Sequence, residues 1–528
     1  MRPFDENGLF QIPPNQGKLA RMAVRGAGVT AISTLAGVAV QAVTTIVLAR
    51  LLTPADFGLI TMVTTFSLLF MNFGVNGLTE VIVQRAEMNR SIASNLFWIS
   101  LLAGAVLTVA FAGCGSLLAD FYRSPPLSRI TMAMAPTIFL ASISMAHLAL
   151  LKRGMQFVQL SSNEVASRVC SVVVSILCAL RGAQYWALVA GAIAQPLCQS
   201  VGAWLVCRWI PSLPRRLPGT WSMLRFALSV YGRFGVNYIS RNVDNVLVGW
   251  RFDSLVLGSY KKAYDLFSLS GSTFVASIFT VAVPTLSRCS TDLVRYRRYV
   301  LTALAVAAFV GMGLGADLTL VGADAIRLLL GPGWEATGRI FTFFGPGIGI
   351  MLLYCTHGWI HLSMGTPERW FHWGLIEFAC TLLLFLVALP WGPEGVAAAW
   401  SASFWALTIP AFAYALKPTK IKISTVIGVV WRYVLASLLA GCATAAIRQE
   451  MHVPFLTGPS TVPVLLRIST ISCVFWLLYL LLIVGLHRGL QPLHMMAAVG
   501  RELLPCASDT LKTDQYRTFA TTVETTDR

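Results

Sequence analysis

Four polar residues inside an otherwise apolar stretch are the part of this chain best suited to chemistry. Arg233, Asn237, Arg241 and Asp244 lie within WSMLRFALSVYGRFGVNYISRNVDNVLVGW, at steps of four, four and three. On one continuous α-helix those steps keep all four on a single face. Two guanidinium groups and an amide on one face can receive an anion or a hydroxyl-rich ligand. A charge at the centre of a bilayer costs about 2.5–3.5 kcal/mol, so such a stripe cannot face lipid. Asp244 is within i,i+3 reach of Arg241, which leaves Arg233 without an acid nearby in sequence. Two readings follow: a hydrated, net cationic chamber for an anionic or sugar-bearing ligand, or polar glue between helices.

Composition decides that membrane physics applies. The 528 residues are 56% hydrophobic and 12% charged, with a mean hydropathy of +0.69. Soluble domains carry about 25% charged residues, so this is an integral membrane protein. The formal net charge of +17 reflects basic residues gathered in cytoplasmic loops and does not call for nucleic acid. The eleven cysteines sit mostly in apolar runs, with no CxxC pair and no histidine at metal-ligand spacing. Neither a zinc site nor a disulfide framework is expected, and no cofactor is implied. The opening MRPFDENGLFQIPPNQGK has no signal-peptide core and reads as a flexible cytoplasmic lead-in.

A membrane helix needs about 20 apolar residues. Counting such runs gives fourteen, near 27–50, 57–79, 95–119, 130–151, 163–181, 184–207, 222–249, 263–286, 299–321, 339–362, 371–390, 394–416, 424–447 and 464–487. With the N-terminus inside, the even-numbered connections carry the basic clusters, such as Lys152 with Arg153 and Arg295 with Arg297 and Arg298. Both termini are therefore expected in the cytoplasm. The expected fold is all-α: a cytoplasmic segment (1–26), a six-helix lobe (27–210), a cytoplasmic linker (211–221), a second six-helix lobe (222–417), an added helix pair (424–487) and a polar tail (488–528). The two lobes are expected to surround a central chamber.

The halves echo each other at an offset of about 200 residues. The first two spans are joined by Arg50-Leu51-Leu52-Thr53-Pro54-Ala55-Asp56-Phe57-Gly58 and the seventh and eighth by Arg251-Phe252-Asp253-Ser254-Leu255-Val256-Leu257-Gly258. Repeated halves around a central site are a common transporter plan. Polar residues in the equivalent first and second spans include Gln41, and Asn72, Asn76 and Glu80 at spacing four. Glu164 and Arg168, at i,i+4, read as a self-satisfied pair.

Other ionisable groups carry less. Asp317 lies near an expected span end, where interfacial solvation explains it. Glu377, within LIEFACTLL, is deeper and is the candidate for ion coupling. His147, His357, His361 and His372 show no ligand geometry and suit helix-end or interfacial positions. Tryptophans such as Trp98, Trp209, Trp221, Trp250 and Trp391 fall near expected span ends, as an aromatic belt would. No Walker-type phosphate loop is present and no connection is long enough for a catalytic domain, which argues against an enzyme.

ARLLTPADFGLITMV (49–63) followed by Asn72-Phe73-Gly74 resembles the start of the Wzx-type oligosaccharide flippases, the polysaccharide exporters of the MOP superfamily. VDNVLVGWRFDSLVLGSYKKAYDL (243–266) is similar to that family's second-half signature, and VPTLSR (283–288), GPGW (331–334) and GPEGVAAAW (392–400) fit the same order. The resemblance implies two six-helix lobes forming a V-shaped chamber in the bacterial inner membrane, working by alternating access. The implied substrate is a polyprenyl-pyrophosphate-linked oligosaccharide repeat unit, bound for surface polysaccharide. The implied partners are membrane lipids, a polymerase and a chain-length regulator. Arginine meets pyrophosphate with charge-assisted, bidentate hydrogen bonds, so Arg233 and Arg241 are expected to hold it. Asn237, Asp244, Gln41, Asn72 and Asn76 are then expected to line the chamber toward the sugars. The helix pair after 420 departs from a plain twelve-helix pattern, leaving a lipid groove or a partner surface open for it. Rival readings are a peptidoglycan-precursor flippase, a cation-coupled exporter of the same superfamily, a membrane polymerase or ligase, and a structural scaffold. A drug exporter predicts acids rather than arginines in the chamber.

Overall fold

The computed structural model describes residues 3–10, 16–85, 87–215, 220–419, 421–450 and 461–503. Among these the only regular elements are helices, apart from two isolated β-bridges, Phe4 to Phe10 and Leu9 to Asn89. Among the described residues, eleven helical stretches are long and apolar enough to cross a membrane. The longest, Pro367–Ala415, contains two helices separated by the single 3₁₀ turn Leu389–Trp391.

Two compact units divide the chain: residues 1–261 with 329–336, and residues 262–328 with 337–528. The first contains α1 (Gln16–Leu51), α2 (Pro54–Gln84), α3 (Arg90–Gly113), α4 (Gly115–Phe121), α5 (Pro126–Met134), α6 (Pro136–Arg153), α7 (Phe157–Leu180), α8 (Tyr185–Val206), α9 (Thr220–Ser240) and α10 (Val243–Arg251), and the first turns of α11 (Ser254–Arg288). The second holds the rest of α11, most of α12 (Leu293–Leu330) and of α13 (Glu335–Tyr354), and α14 (His357–Ser363), α15 (Pro367–Ala388), α16 (Gly392–Ala415), α17 (Ile423–Glu450), α18 (Thr461–His487) and α19 (Gln491–Leu503).

Local chemistry sets several of these boundaries. The turn between α1 and α2 is a capping box in which the Thr53 hydroxyl accepts from the Asp56 amide. The Asp56 carboxylate accepts in return from the Thr53 amide at 2.9 Å, and Pro54 opens the helix. The equivalent turn before α11 uses Asp253, whose carboxylate accepts from the Val256 amide at 2.8 Å. At the far end of α2, Arg153 of α6 donates to the carbonyls of Ile82 (2.8 Å) and Arg85 (2.6 Å). A cation on the last carbonyls satisfies acceptors that the helix itself leaves open. Lys152, its neighbour, pairs with Glu80 at 3.3 Å. Both residues thus have partners in addition to their place in a basic loop.

Residues 3–10 correct the expectation of a flexible lead-in. The Phe10 amide donates to the Met88 carbonyl and the Arg90 amide to the Gly8 carbonyl, and Phe10 is buried in the apolar cluster at that end of the unit. Phe4 packs on Trp209, and the Arg153 guanidinium lies over the Phe10 ring. The connection after α8 is clasped to α3: Asn95 exchanges side-chain hydrogen bonds with the Arg215 backbone, and Trp98 donates to the Ser212 carbonyl at 2.9 Å. Within that clasp Cys207 is wholly buried, and burial pushes its thiol up to about 11.

In the second unit α18 docks on α12 through polar contacts. Asp317 is buried and accepts from the Ser472 hydroxyl (2.9 Å) and the Trp476 indole (3.2 Å). Asp324 receives both the Nε (2.8 Å) and an Nη of Arg467, with Arg448 at 3.9 Å. Tyr479 donates to the Phe309 carbonyl at 2.8 Å. The expectation that Asp317 is solvated at a span end is therefore wrong, because α12 extends well past 321 and takes this carboxylate into its interior. For the same reason the connection expected over 322–338 shrinks to a turn around Gly331 and Gly333, both with positive φ. The polar tail after His487 begins with the helix α19; residues beyond 503 lie outside the described part.

Candidate functional site

The candidate site is built on α2, α9, α10 and the first turns of α11, all in the first unit. Its frame is the meeting of the two repeats. A Cβ added to Gly58 would overlap the Ser254 carbonyl oxygen, and one added to Gly258 would overlap that of Pro54. Each partner is the other's counterpart 200 positions away, so the contact is reciprocal. Backbone touches backbone there, and only glycine permits it. Trp334, fully buried, donates to the Ala49 carbonyl at 2.9 Å and packs edge-on against Phe57 beside this crossing.

From the crossing, α9 runs antiparallel along α2. Met223 meets Arg85, Ala227 covers Gly77, Tyr231 packs on Phe73, and Tyr238 donates to the Thr65 carbonyl at 2.9 Å. Steps of four, four and seven put these α9 residues on one face. Sequence reasoning missed this face, although Tyr231 and Tyr238 at i,i+7 carry its signal. Where α9 begins, a cleft of ≈ 300 Å³ opens between the last turn of α2 and Ser222, Met223 and Phe226.

The expected stripe does not form as one face. Helix α9 ends at Ser240 and α10 begins at Val243. The cause is local: the Asn242 side-chain amide donates to the Tyr238 carbonyl at 2.9 Å, and the Asn242 amide turns to Ile239 instead. Asparagine that competes with the backbone in this way breaks helices. The break separates Arg241, exposed on the turn, from Asp244, which is fully buried and accepts from Tyr260 at 2.8 Å. Asp244 thus fastens α10 to α11 and is not an exposed lining residue. Asn237 is exposed on α9, and Gln41 is exposed on α1. Asn72 is half-buried, with its amide on the Leu68 carbonyl one turn back at 2.6 Å. The side chains of Arg233 and Asn76 lie outside the described residues.

Elsewhere, the Glu164–Arg168 pair is present at 2.8 Å. His147, His357 and His361 are all buried and not interfacial; His357 opens α14 and His361 lies in its last turn, so both sit at helix ends as expected, while His147 lies within α6. His147 stacks on Trp204 and meets the Trp209 carbonyl at 3.1 Å, so Trp209 belongs to the core and not to an aromatic belt. Trp221 and Trp391 are exposed. Among the described residues there is no cluster of histidine, cysteine or carboxylate fit for a metal ion.

A model of the family described as "Polysaccharide biosynthesis protein" matches residues 47–338. The chain is 22% identical over 362 residues to the succinoglycan biosynthesis transport protein ExoT of Rhizobium meliloti, covering 69% of this chain and 73% of that one. It is 25% identical over 390 residues to the teichuronic acid biosynthesis protein TuaB of Bacillus subtilis, covering 71% and 79%. Among solved structures, the inward closed conformation of the lipid II flippase MurJ superposes with a TM-score of 0.69 at 15% identity, covering 88% and 99%. An inward-facing multidrug resistance MATE transporter of the MOP superfamily gives 0.53 at 12% identity, covering 74% and 95%. These likenesses establish the fold.

Proposed function

Because the chain belongs to the polysaccharide biosynthesis protein family, we propose that it is a flippase for polyprenyl-pyrophosphate-linked oligosaccharide repeat units. It carries them across the bacterial inner membrane by alternating access, for surface polysaccharide, and makes no covalent change to them. Counting α15 and α16 separately, and adding α9 with α10 and then α11, gives fourteen crossings with both termini cytoplasmic. These form six-helix halves over 27–210 and 222–417 and an added pair over 424–487. A polymerase and a chain-length regulator act on the product downstream.

The observation that carries this reading is the exposed side of α9. Its other side is committed to α2, while Asn237 and, at the helix break, Arg241 are exposed. A guanidinium held at a helix break suits a diphosphate, which takes bidentate, charge-assisted hydrogen bonds. In this proposal Arg241 and Arg233 hold the pyrophosphate, and Asn237, Gln41, Asn72 and Asn76 contact sugar hydroxyls. A lipid-linked peptidoglycan precursor presents the same diphosphate, so the sugar portion is what separates the two substrates.

The test is a deletion strain scored for surface polysaccharide and for the leaflet that holds lipid-linked repeat units. Loss of polysaccharide with single units trapped on the cytoplasmic leaflet is the expected result. Accumulation on the outer leaflet would assign the protein to polymerisation instead. Arrested cell-wall synthesis with polysaccharide intact would assign it to the peptidoglycan precursor.

A further inference from the structure

The second unit buries a set of titratable side chains that the proposed substrate site does not use. His357 and His361 lie one turn apart on α14, both at most 3% exposed, with ring centroids 6.0 Å apart. Their tautomers follow from their partners. His357 Nδ1 sits 2.5 Å from the Tyr354 carbonyl, which can only accept, so Nδ1 carries the hydrogen. The Thr366 hydroxyl donates to the His361 carbonyl at 3.2 Å, which leaves its oxygen to accept from His361 Nδ1 at 3.3 Å. In both neutral rings Nε2 is then a bare acceptor, and each Nε2 is buried with no hydrogen-bond partner among the described residues. A buried lone pair with no donor is chemically a place for a proton.

The two histidines differ in what faces them. Tyr354, on α13, holds its ring tilted with its centroid 4.6 Å from that of His357, and hydrogen-bonds through its hydroxyl to the Glu377 carboxylate of α15. The Trp373 indole donates to the same hydroxyl at 2.8 Å, completing a donor chain from Trp373 to Tyr354 to Glu377. Cys355 adjoins Tyr354. His361 faces Tyr414 of α16 at 5.8 Å and lies within electrostatic reach of Arg369 on α15. Arg369 itself lies over the Tyr414 ring, with Lys417 near the same ring, and Tyr296 of α12 is taken by Ser363. A cation, Arg369, therefore acts on the His361 end, and the one carboxylate in the set reaches the His357 side through Tyr354.

We propose that His357, Tyr354 and Glu377 form a buried proton-binding site, with His357 Nε2 as the acceptor and Glu377 as the counter-charge. Protonation turns Nε2 from acceptor to donor and gives the imidazolium a carboxylate partner one tyrosine away. An intramembrane site of this kind is where a proton coupled to transport would be held, a role that rests on the transport reading above. Proton binding itself does not rest on it.

The experiment is ¹⁵N NMR of the full-length protein labelled at histidine and held in detergent, followed through a pH titration. The His357 signal is assigned by its loss in His357→Gln. The expected result is a neutral Nδ1–H tautomer at alkaline pH that becomes doubly protonated on acidification while the protein stays folded. Glu377→Gln removes the counter-charge, so proton affinity falls roughly tenfold, about one pH unit downward. Tyr354→Phe, which keeps the ring and its packing, lowers it in the same direction and serves if the carboxylate variant misfolds. A His357 that stays neutral across the folded range, or a midpoint that neither variant moves, overturns the proposal. In vesicles, lipid-linked oligosaccharide flipping that ignores an imposed pH gradient would remove the coupling role and leave flipping intact. Proton binding without any flipping would leave the site standing and remove the transport reading.

Discussion

Helices α9 and α12 both carry charged residues well inside their lengths, and they deal with them in opposite ways. On α12 the two carboxylates are consumed by packing. Asp317 is met by a hydroxyl and an indole of α18, and Asp324 by two nitrogens of Arg467 with Arg448 nearby. On α9 the described charged and amide side chains, Arg225 and Asn237, are kept out of the packing. Its tyrosines and small residues go to α2, Asn237 is exposed, and the chain breaks so that Arg241 ends on a turn. The same cost of burying charge acts on both helices. A carboxylate met by a neighbouring helix is explained by the fold, whereas the guanidinium of Arg241, exposed on the turn after α9, is the one proposed to meet a ligand.

The largest loss is expected at the frame that holds α9 in place. Gly58→Val sets a side chain against the Ser254 carbonyl, and backbone on both sides gives it nowhere to go. A loss of about 3 kcal/mol or more is expected, seen as little monodisperse protein after detergent extraction. Gly428→Ala is the control, since nothing lies within 4 Å of that position and the helix gains up to about 1 kcal/mol.

On the α12 side, Asp324→Ala strips Arg467 of its bidentate partner. A cost of about 2–3 kcal/mol is expected from hydrogen bonds to a charged group, read as a lower thermal midpoint in detergent. If the midpoint does not fall, the carboxylate is not a structural anchor and the contrast with α9 collapses.

Arg241→Ala and Asn237→Ala sharpen the contrast from the other side. Each is expected to change stability by no more than about 0.5 kcal/mol, because neither residue is buried. Each is nonetheless expected to fail to restore polysaccharide in the deletion strain. Restored polysaccharide with either variant would return these residues to ordinary surface.

The smallest effect concerns the linker clasp. Cys207 is fully buried and burial pushes its thiol up to about 11, so the neutral form persists through mildly alkaline pH. Maleimide should leave Cys207 unmodified in the folded protein and react once the protein is unfolded, as read by mass spectrometry. Because the folded value lies above the ordinary one, stability from this thiol is lost only as pH rises toward 11. Ready labelling near neutral pH would mean that residues 207–215 are not clamped.

Much of this molecule is written in the local sequence. Apolar run length fixed most of the helices, and Thr53-Pro54 with Asp56, or Asp253 alone, marked where helices start, because capping depends on residues three apart. The 200-residue echo placed Gly58 and Gly258 in equivalent turns, but that each lies against the other repeat's backbone was visible only in the structure. What spacing could not reveal was partner choice. Helical periodicity runs straight through Arg241, so it put Asp244 beside the arginine; the Asn242 amide and the Tyr260 hydroxyl, the latter 16 residues on, took it elsewhere. Asp317 looked like an interfacial acid until Ser472 and Trp476 met it from a helix 155 and 159 residues away. His357 and His361 looked idle for the same reason. A residue's own neighbours set its helix and its face. Whether that face meets lipid, water or a hydrogen-bond donor is set by whichever distant segment packs there, and only the tertiary structure chooses that segment.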